Sequence, residues 1–193
     1  MKPKLLLIGG GGHCRSLIDV IEAEGKYEIG GILDIPERIG EKVLGYPIIG
    51  SNNDLENLFG TFTHALITFG QIKSPDSRIA MYERLKGIGY TLPTIISPRA
   101  YVSKHARIGE GNVILHDALI NANATISDNC IINSKALIEH DCVVESHCHI
   151  STGAILNGGC TLKEGSFFGS NAVSKEAITI EEGSFIKAGS IAK

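Results

Sequence analysis

The sequence predicts an α/β unit followed by an all-β prism of short parallel strands, and three observations carry that prediction. The N-terminal stretch KLLLIGGGGH is an apolar run that enters a glycine loop. From Ile96 to Ile186 a large residue recurs at every sixth position, with Ser174 alone breaking the register. A small residue follows four places after most of these, and Gly or Asn three places after many.

The N-terminal part, residues 1–93, reads as alternating strands and helices. After the glycine loop, CRSLIDVIEAEG is a helix with Leu17, Ile18 and Ile21 on one face. Strand, glycine turn and helix together cradle phosphate, because the first N–H groups of a helix have no partner within it. EIGGILD is a second strand ending in Asp34, about twenty residues past the glycines, where doubly wound folds set an acid against a ribose or a base edge. HALITFG, residues 64–70, is a third strand, SRIAMYERLKGIG a helix, and TLPTIIS leads into the repeat. The dinucleotide fingerprint is incomplete: Gly9, Gly11 and Gly12 are present, but Cys14 stands where the last glycine belongs. A tight turn in a small α/β domain accounts for such a loop as well. An NAD oxidoreductase would leave the repeat unexplained.

Residues 94–193 carry the repeat. Large residues such as Ile120, Ile138 and Leu156 alternate with small ones such as Ala124, Cys142 and Cys160. That pairing fills the narrow interior of a strand prism, where two inward positions per strand share little space. Gly111, Asn123, Asn129, Gly153, Gly159, Gly165, Asn171, Gly183 and Gly189 enter left-handed backbone cheaply, which a sharp corner after each strand demands.

Composition removes several function classes. A formal net charge of -3 over 193 residues gives no footprint for nucleic acid. The first apolar run is too short for a signal peptide or a membrane span, so the chain is expected to be cytoplasmic and off the membrane. Five cysteines without disulfide-scaffold spacing fit reduced thiols.

The stretch KALIEHDCVVESHCHISTGA, residues 135–154, concentrates the chemistry. Cys130, Cys142, Cys148 and Cys160 fall on the small inward site and read as compact hydrophobes. His149 follows Cys148 in a strand, so the two point to opposite faces and cannot share one metal; no metal is expected. His147 falls on a left-handed corner position. His140 lies at a corner, two places after Ile138, beside Asp141. From spacing alone this pair is equally well a solvated turn or a general base with its carboxylate.

Both halves together resemble the hexapeptide-repeat sugar acetyltransferases of bacterial bacillosamine, perosamine and sialic acid pathways, the PglD/NeuD-like family. IGGGGH at the start, VLGYPIIGS at 43–51, TFGQ at 68–71 and IEHDC at 138–142 carry the resemblance. It implies a Rossmann-like domain followed by a left-handed parallel β-helix in which positions about eighteen residues apart stack. It also implies a homotrimer with acetyl-CoA held between neighbouring subunits. On this likeness Gly11, Gly12 and His13 match the phosphate loop, Asp34 the nucleoside contact and Gly70 a sugar-side backbone contact. His140 matches the general base and Asp141 the carboxylate that raises its basicity. His149 matches a contact to acetyl-CoA, and Ser170 and Ala188 match backbone contacts to that co-substrate.

The implied reaction is N-acetylation of a nucleotide-linked amino sugar, foremost a UDP-4-amino-4,6-dideoxy sugar. O-acetylation of a sialic-acid-type sugar and N-acetylation of GDP-perosamine are the alternatives within enzymes. Outside them stands a non-catalytic nucleotide-sugar-binding β-helix scaffold. A histidine near neutrality can take the proton as an amine attacks a thioester, and a carboxylate on its other nitrogen orients the ring.

Overall fold

The computed structural model describes residues 2–193. The chain divides into two compact units: the first runs to Gly70 and resumes at Ala80–Pro93, and the second takes Gln71–Ile79 and Thr94–Lys193.

The first unit is built on the apolar run. Strand β1 (Lys4–Ile8) buries Leu5 to Ile8 and gives way to helix α1 (Gly12–Glu24), which buries Cys14, Leu17, Ile18, Val20 and Ile21. Strand β2 (Glu28–Asp34) pairs parallel with β1. A two-residue strand β3 (Lys42–Val43) turns back antiparallel onto β4 (Tyr46–Ser51), which in turn runs parallel to β2. The VLGYPIIGS stretch therefore forms most of a hairpin. A short helix α2 (Leu55–Leu58) precedes β5 (His64–Ile67), parallel to β1 on its other side, and helix α3 covers Asp76–Ile88. The sheet order is β3-β4-β2-β1-β5. The third strand thus ends at Ile67, short of the expected Gly70. The chain leaves the sheet at Thr68, whose hydroxyl donates to the Gly9 carbonyl at 2.6 Å and ties the two loops at the strand ends together.

The second unit is the prism. Two-residue strands from β6 (Ile95–Ile96) to β22 (Ile191–Ala192) pair in parallel with the strand three places on, so Ile120 lies over Ile138 and Ile138 over Leu156. Three sheets of six, five and six strands result, and the fold is a left-handed parallel β-helix.

The interior follows the large-and-small rule: Ile114, Ile120, Ile126, Ile138 and Leu156 pack with Ala118, Ala124, Cys142 and Cys160 in one continuous core. The inward exceptions are satisfied by hydrogen bonds, as buried polar groups must be. Ser174 accepts from the Asn157 N–H at 2.8 Å, and Asn112 accepts from the Cys130 N–H at 2.7 Å while its amide donates to the Ser127 carbonyl. The nine Gly and Asn corner positions all adopt positive φ, joined by Asp117, Lys135, Asp141, His147 and Ala177.

Candidate functional site

In the first unit, the chain segments that leave the C-terminal ends of the parallel strands enclose a cavity of about 350 Å³. Gly9, Gly10, Gly11, Asp34, Ile35, Arg38, Asn52 and Phe69 line it. In open α/β sheets ligands settle at this place, where strand order reverses. The order around β1 reverses here: β2 lies on one side and β5 on the other.

Helix α1 starts beside the cavity with Gly11 at its N-cap, no side-chain cap and no acidic residue in its first turn. A helix start of this kind, with no acidic residue, puts the positive end of the dipole where an anion is favoured. A Cβ at Gly11 or Gly12 would meet nothing within 4 Å, so both face open space. Gly70 lies beside His13: a Cβ there would stand 3.9 Å from the ring.

Asp34 is held from three sides. Its Oδ2 accepts from the Gly10 N–H at 2.8 Å and from Arg38 Nη1 at 2.5 Å, and its Oδ1 accepts from the Ile35 N–H at 2.8 Å. Arg38 also donates to the Gly10 carbonyl and to Glu41. The carboxylate thus shapes the glycine loop from below. Arg38 was not singled out from sequence, although its place four residues after Asp34 suits an ion pair with it.

In the second unit, His140 and Asp141 form a dyad on one corner. The Nδ1–H of His140 donates to Asp141 Oδ2 at 2.7 Å. Because a carboxylate only accepts, the neutral ring carries its proton on Nδ1 and presents a bare Nε2. The His140 side chain is 62% exposed. Its pKa is raised above the ordinary value, chiefly by the bond to Asp141, with the charges of Asp141 and Glu139 adding to it. Asp141 is held below the usual carboxylate range by Asn123 first and His140 second. Gly158, one turn on, leaves room for the ring: a Cβ there would stand 2.9 Å from its Cε1 and Nε2.

His149 is placed differently. It sits in strand β15 (His149–Ile150) with its ring edge-on to Phe167 and only 6% of its surface exposed. Its Nδ1–H donates to the Gln71 carbonyl at 2.6 Å, and its Nε2 faces the Asn133 amide at 3.3 Å. Gln71 closes the clamp by donating from Nε2 to the His147 carbonyl at 2.6 Å. Burial drives the His149 pKa down to about 4, against the Gln71 bond and with help from the Arg78 charge. The segment Gln71–Ile79 that covers His149 was legible only as part of TFGQ and the residues after it.

Ser170 and Ala188 lie on successive rungs of another corner, where the Ser170 carbonyl accepts from Gly189 N–H and the Ser170 hydroxyl pairs with Ser151 at 2.8 Å. One chain therefore joins His140 to Asp141 and Ser170 to Ala188, but keeps these two pairs on separate corners.

Comparison with known proteins agrees with this architecture. Residues 4–85 match the family described as the PglD N-terminal domain. The chain is similar to the acetyltransferase domain of PglB from Neisseria gonorrhoeae, at 32% identity and a TM-score of 0.90, covering 100% of this chain and 92% of that one. The same domain in complex with acetyl coenzyme A matches at 31% identity and a TM-score of 0.88, covering 100% of this chain and 94% of that one. PerB from Caulobacter crescentus, in complex with CoA and GDP-perosamine, matches at 29% identity and a TM-score of 0.91, covering 98% and 88%. No curated protein sequence matches significantly. A chain with this α/β unit, this prism and these likenesses is an acetyltransferase. It belongs to the PglD/NeuD-like sugar acetyltransferase family.

Proposed function

We propose that this protein transfers the acetyl group of acetyl-CoA to the amino group of a nucleotide-linked amino sugar, foremost a UDP-4-amino-4,6-dideoxy sugar. The observation that carries the reading is the His140–Asp141 dyad, with Nδ1 engaged at 2.7 Å and Nε2 bare. The neutral amine attacks the thioester carbonyl carbon and passes its proton to His140 Nε2. The tetrahedral adduct collapses, the C–S bond breaks, and CoA leaves as the thiolate. Asp141 stabilises the imidazolium formed on the way.

The nucleotide is held in the first unit, its phosphates on the N–H groups of Gly11, Gly12 and His13, its nucleoside near Asp34 and its sugar near Gly70. His149, Ser170 and Ala188 belong to the acetyl-CoA side. In this reading the enzyme is a homotrimer, and a neighbouring copy brings its Ser170 corner to the His140 corner. The separation of these pairs within one chain supports that arrangement.

A GDP-linked sugar is the second reading, favoured by the likeness to PerB bound to GDP-perosamine. Thermal shift separates the two: acetyl-CoA should raise the melting temperature, and so should either UDP or GDP, but not both equally. Release of CoA thiol with the matching amino sugar nucleotide then tests the reaction. No thiol release with any UDP- or GDP-linked amino sugar would overturn it.

A further inference from the structure

We propose that Asn123 is a positioning residue for the His140 base, holding Asp141 in the one orientation that grips the imidazole. This deepens the acetyl-transfer reading and rests on it. The Asn123 amide donates to Asp141 Oδ1 at 2.6 Å, while Asp141 Oδ2 takes the His140 Nδ1–H at 2.7 Å. Each carboxylate oxygen thus has one fixed partner, and rotation about the Asp141 side chain would break both bonds. At an exposed site a carboxylate without such an anchor turns freely among rotamers.

The fold supplies the anchor by register. Asn123 and Asp141 occupy equivalent corners eighteen residues apart, both left-handed with φ 61°. The pairing of Ile120 with Ile138 and the bond from Asp141 N–H to the Ala122 carbonyl set one corner over the other. Equal backbone geometry sends both side chains the same way.

The neighbouring position repeats the device: the Asn121 amide donates to Glu139 Oε2 at 2.8 Å, and the same oxygen takes the His140 backbone N–H at 3.2 Å. Asn121–Ala122–Asn123 therefore presents one amide to each carboxylate flanking the base, with a methyl group between them. The charges acting on His140 are those of Asp141 and Glu139, each bonded to an uncharged amide, and Gly158 stands against the ring from the next rung.

Asn123→Gly tests the inference, because glycine keeps the left-handed corner without strain while the amide is deleted. We expect kcat to fall about tenfold, with the KM for the acceptor held, and the acidic limb of the pH–rate profile to move down toward the ordinary histidine value of about 6.5. The NMR titration of His140 in the resting enzyme should move the same way. In an Asp141→Asn background the same change should cost less than about twofold, since the amide acts only through Asp141. Full kcat with an unmoved His140 titration overturns the proposal, and so does a loss fully additive with Asp141→Asn. The titration needs no turnover, so the two readings fail separately. A shifted His140 in a protein that transfers no acetyl group sinks the reaction and keeps the positioning, whereas normal turnover with an unshifted His140 sinks the positioning alone.

Discussion

Two histidines one strand apart on the same prism have opposite surroundings. His140, at a corner, is exposed, touches a carboxylate and has its pKa raised. His149, on a face, is covered by Gln71, touches a carbonyl and has its pKa pushed down to about 4. Residue type is the same in both cases. What differs is whether the partner carries a charge and whether water reaches the ring. A carboxylate partner at an exposed corner makes a base that can cycle through its protonated form, while a carbonyl partner under cover fixes one neutral tautomer. On the proposed reading the exposed, carboxylate-bonded ring of His140 takes the proton, and His149 serves the acetyl-CoA side as a neutral ring fixed by Gln71.

The widest break in that comparison comes from deleting each ring. His140→Ala should lower kcat by roughly 100-fold or more while acetyl-CoA still binds, because on the proposed reading other groups hold the co-substrate. Steady-state kinetics with a calorimetric check of acetyl-CoA binding would show it, and near-normal kcat would return the corner pair to a solvated turn. His149→Ala should cost both stability and acetyl-CoA affinity. It empties a buried site and leaves the Gln71 carbonyl without its donor, a loss of about 2–4 kcal/mol by denaturant unfolding. Because the proposed reading puts this ring on the acetyl-CoA side, the KM for acetyl-CoA should rise more than kcat falls.

The two pKa shifts carry opposite signs in pH-dependent stability. His149 has a folded-state pKa of about 4 against about 6.5 unfolded, so the unfolded chain binds a proton that the folded chain refuses. Its contribution is intact above neutrality and is lost as pH falls from about 6.5 toward 4, by roughly 2 kcal/mol at pH 5. For His140 the folded pKa is the higher one. Its contribution is present at low pH and disappears as pH rises through that value. Unfolding at pH 5 and pH 7.5 should therefore show an acid-side loss that His149→Asn removes and His140→Asn does not.

The sequence is a good guide where one periodicity governs and a poor one where the chain crosses over it. The six-residue step places Cys142 and Cys148 inside, His140 at a corner and the left-handed positions at Asn123 and Gly159, and the fold agrees at each. Every corner is a local consequence of a two-residue strand. The Asn123–Asp141 bond was equally available, since residues eighteen apart stack, but it needed the side-chain directions as well as the register.

The cover over His149 comes from Gln71, far outside the repeat, through a backbone carbonyl that has no side-chain signature. No pattern announces such a contact. Likewise the glycine loop points to an anion, whereas the Arg38 clamp on Asp34 depends on how a one-turn helix at Pro36–Arg38 orients its last residue.

A finer test keeps the His140 ring and alters its partner. Asp141→Asn removes the negative charge but keeps the shape of the corner. The histidine pKa should fall, so the acidic limb of the kcat/KM profile moves to lower pH. Plateau kcat should drop by about tenfold, since an amide neither fixes the Nδ1–H tautomer as firmly nor stabilises the imidazolium. An unmoved acidic limb would detach Asp141 from the base.

The smallest expected effect belongs to the thiols, and it sharpens the comparison by removing the other nucleophile class from the same stretch. Cys142 and Cys148 point into the prism, fully buried, with Sγ 3.1 Å from the carbonyls of Asn157 and Lys163 respectively. Burial pushes the Cys142 thiol up to about 11 and Cys148 higher still. The thiolate is the reactive form, so burial disfavours either thiol as an acetyl carrier at neutral pH. Cys142→Ala should leave turnover within about twofold and lower stability by about 1 kcal/mol, the order of one buried methylene-sized group. Enzyme incubated with acetyl-CoA alone should show no acetylated thiol by mass spectrometry. An acetyl adduct on Cys142 or Cys148 that forms and decays at the rate of turnover would replace direct transfer with a two-step route, and His140 would then act on a thiol rather than on an amine.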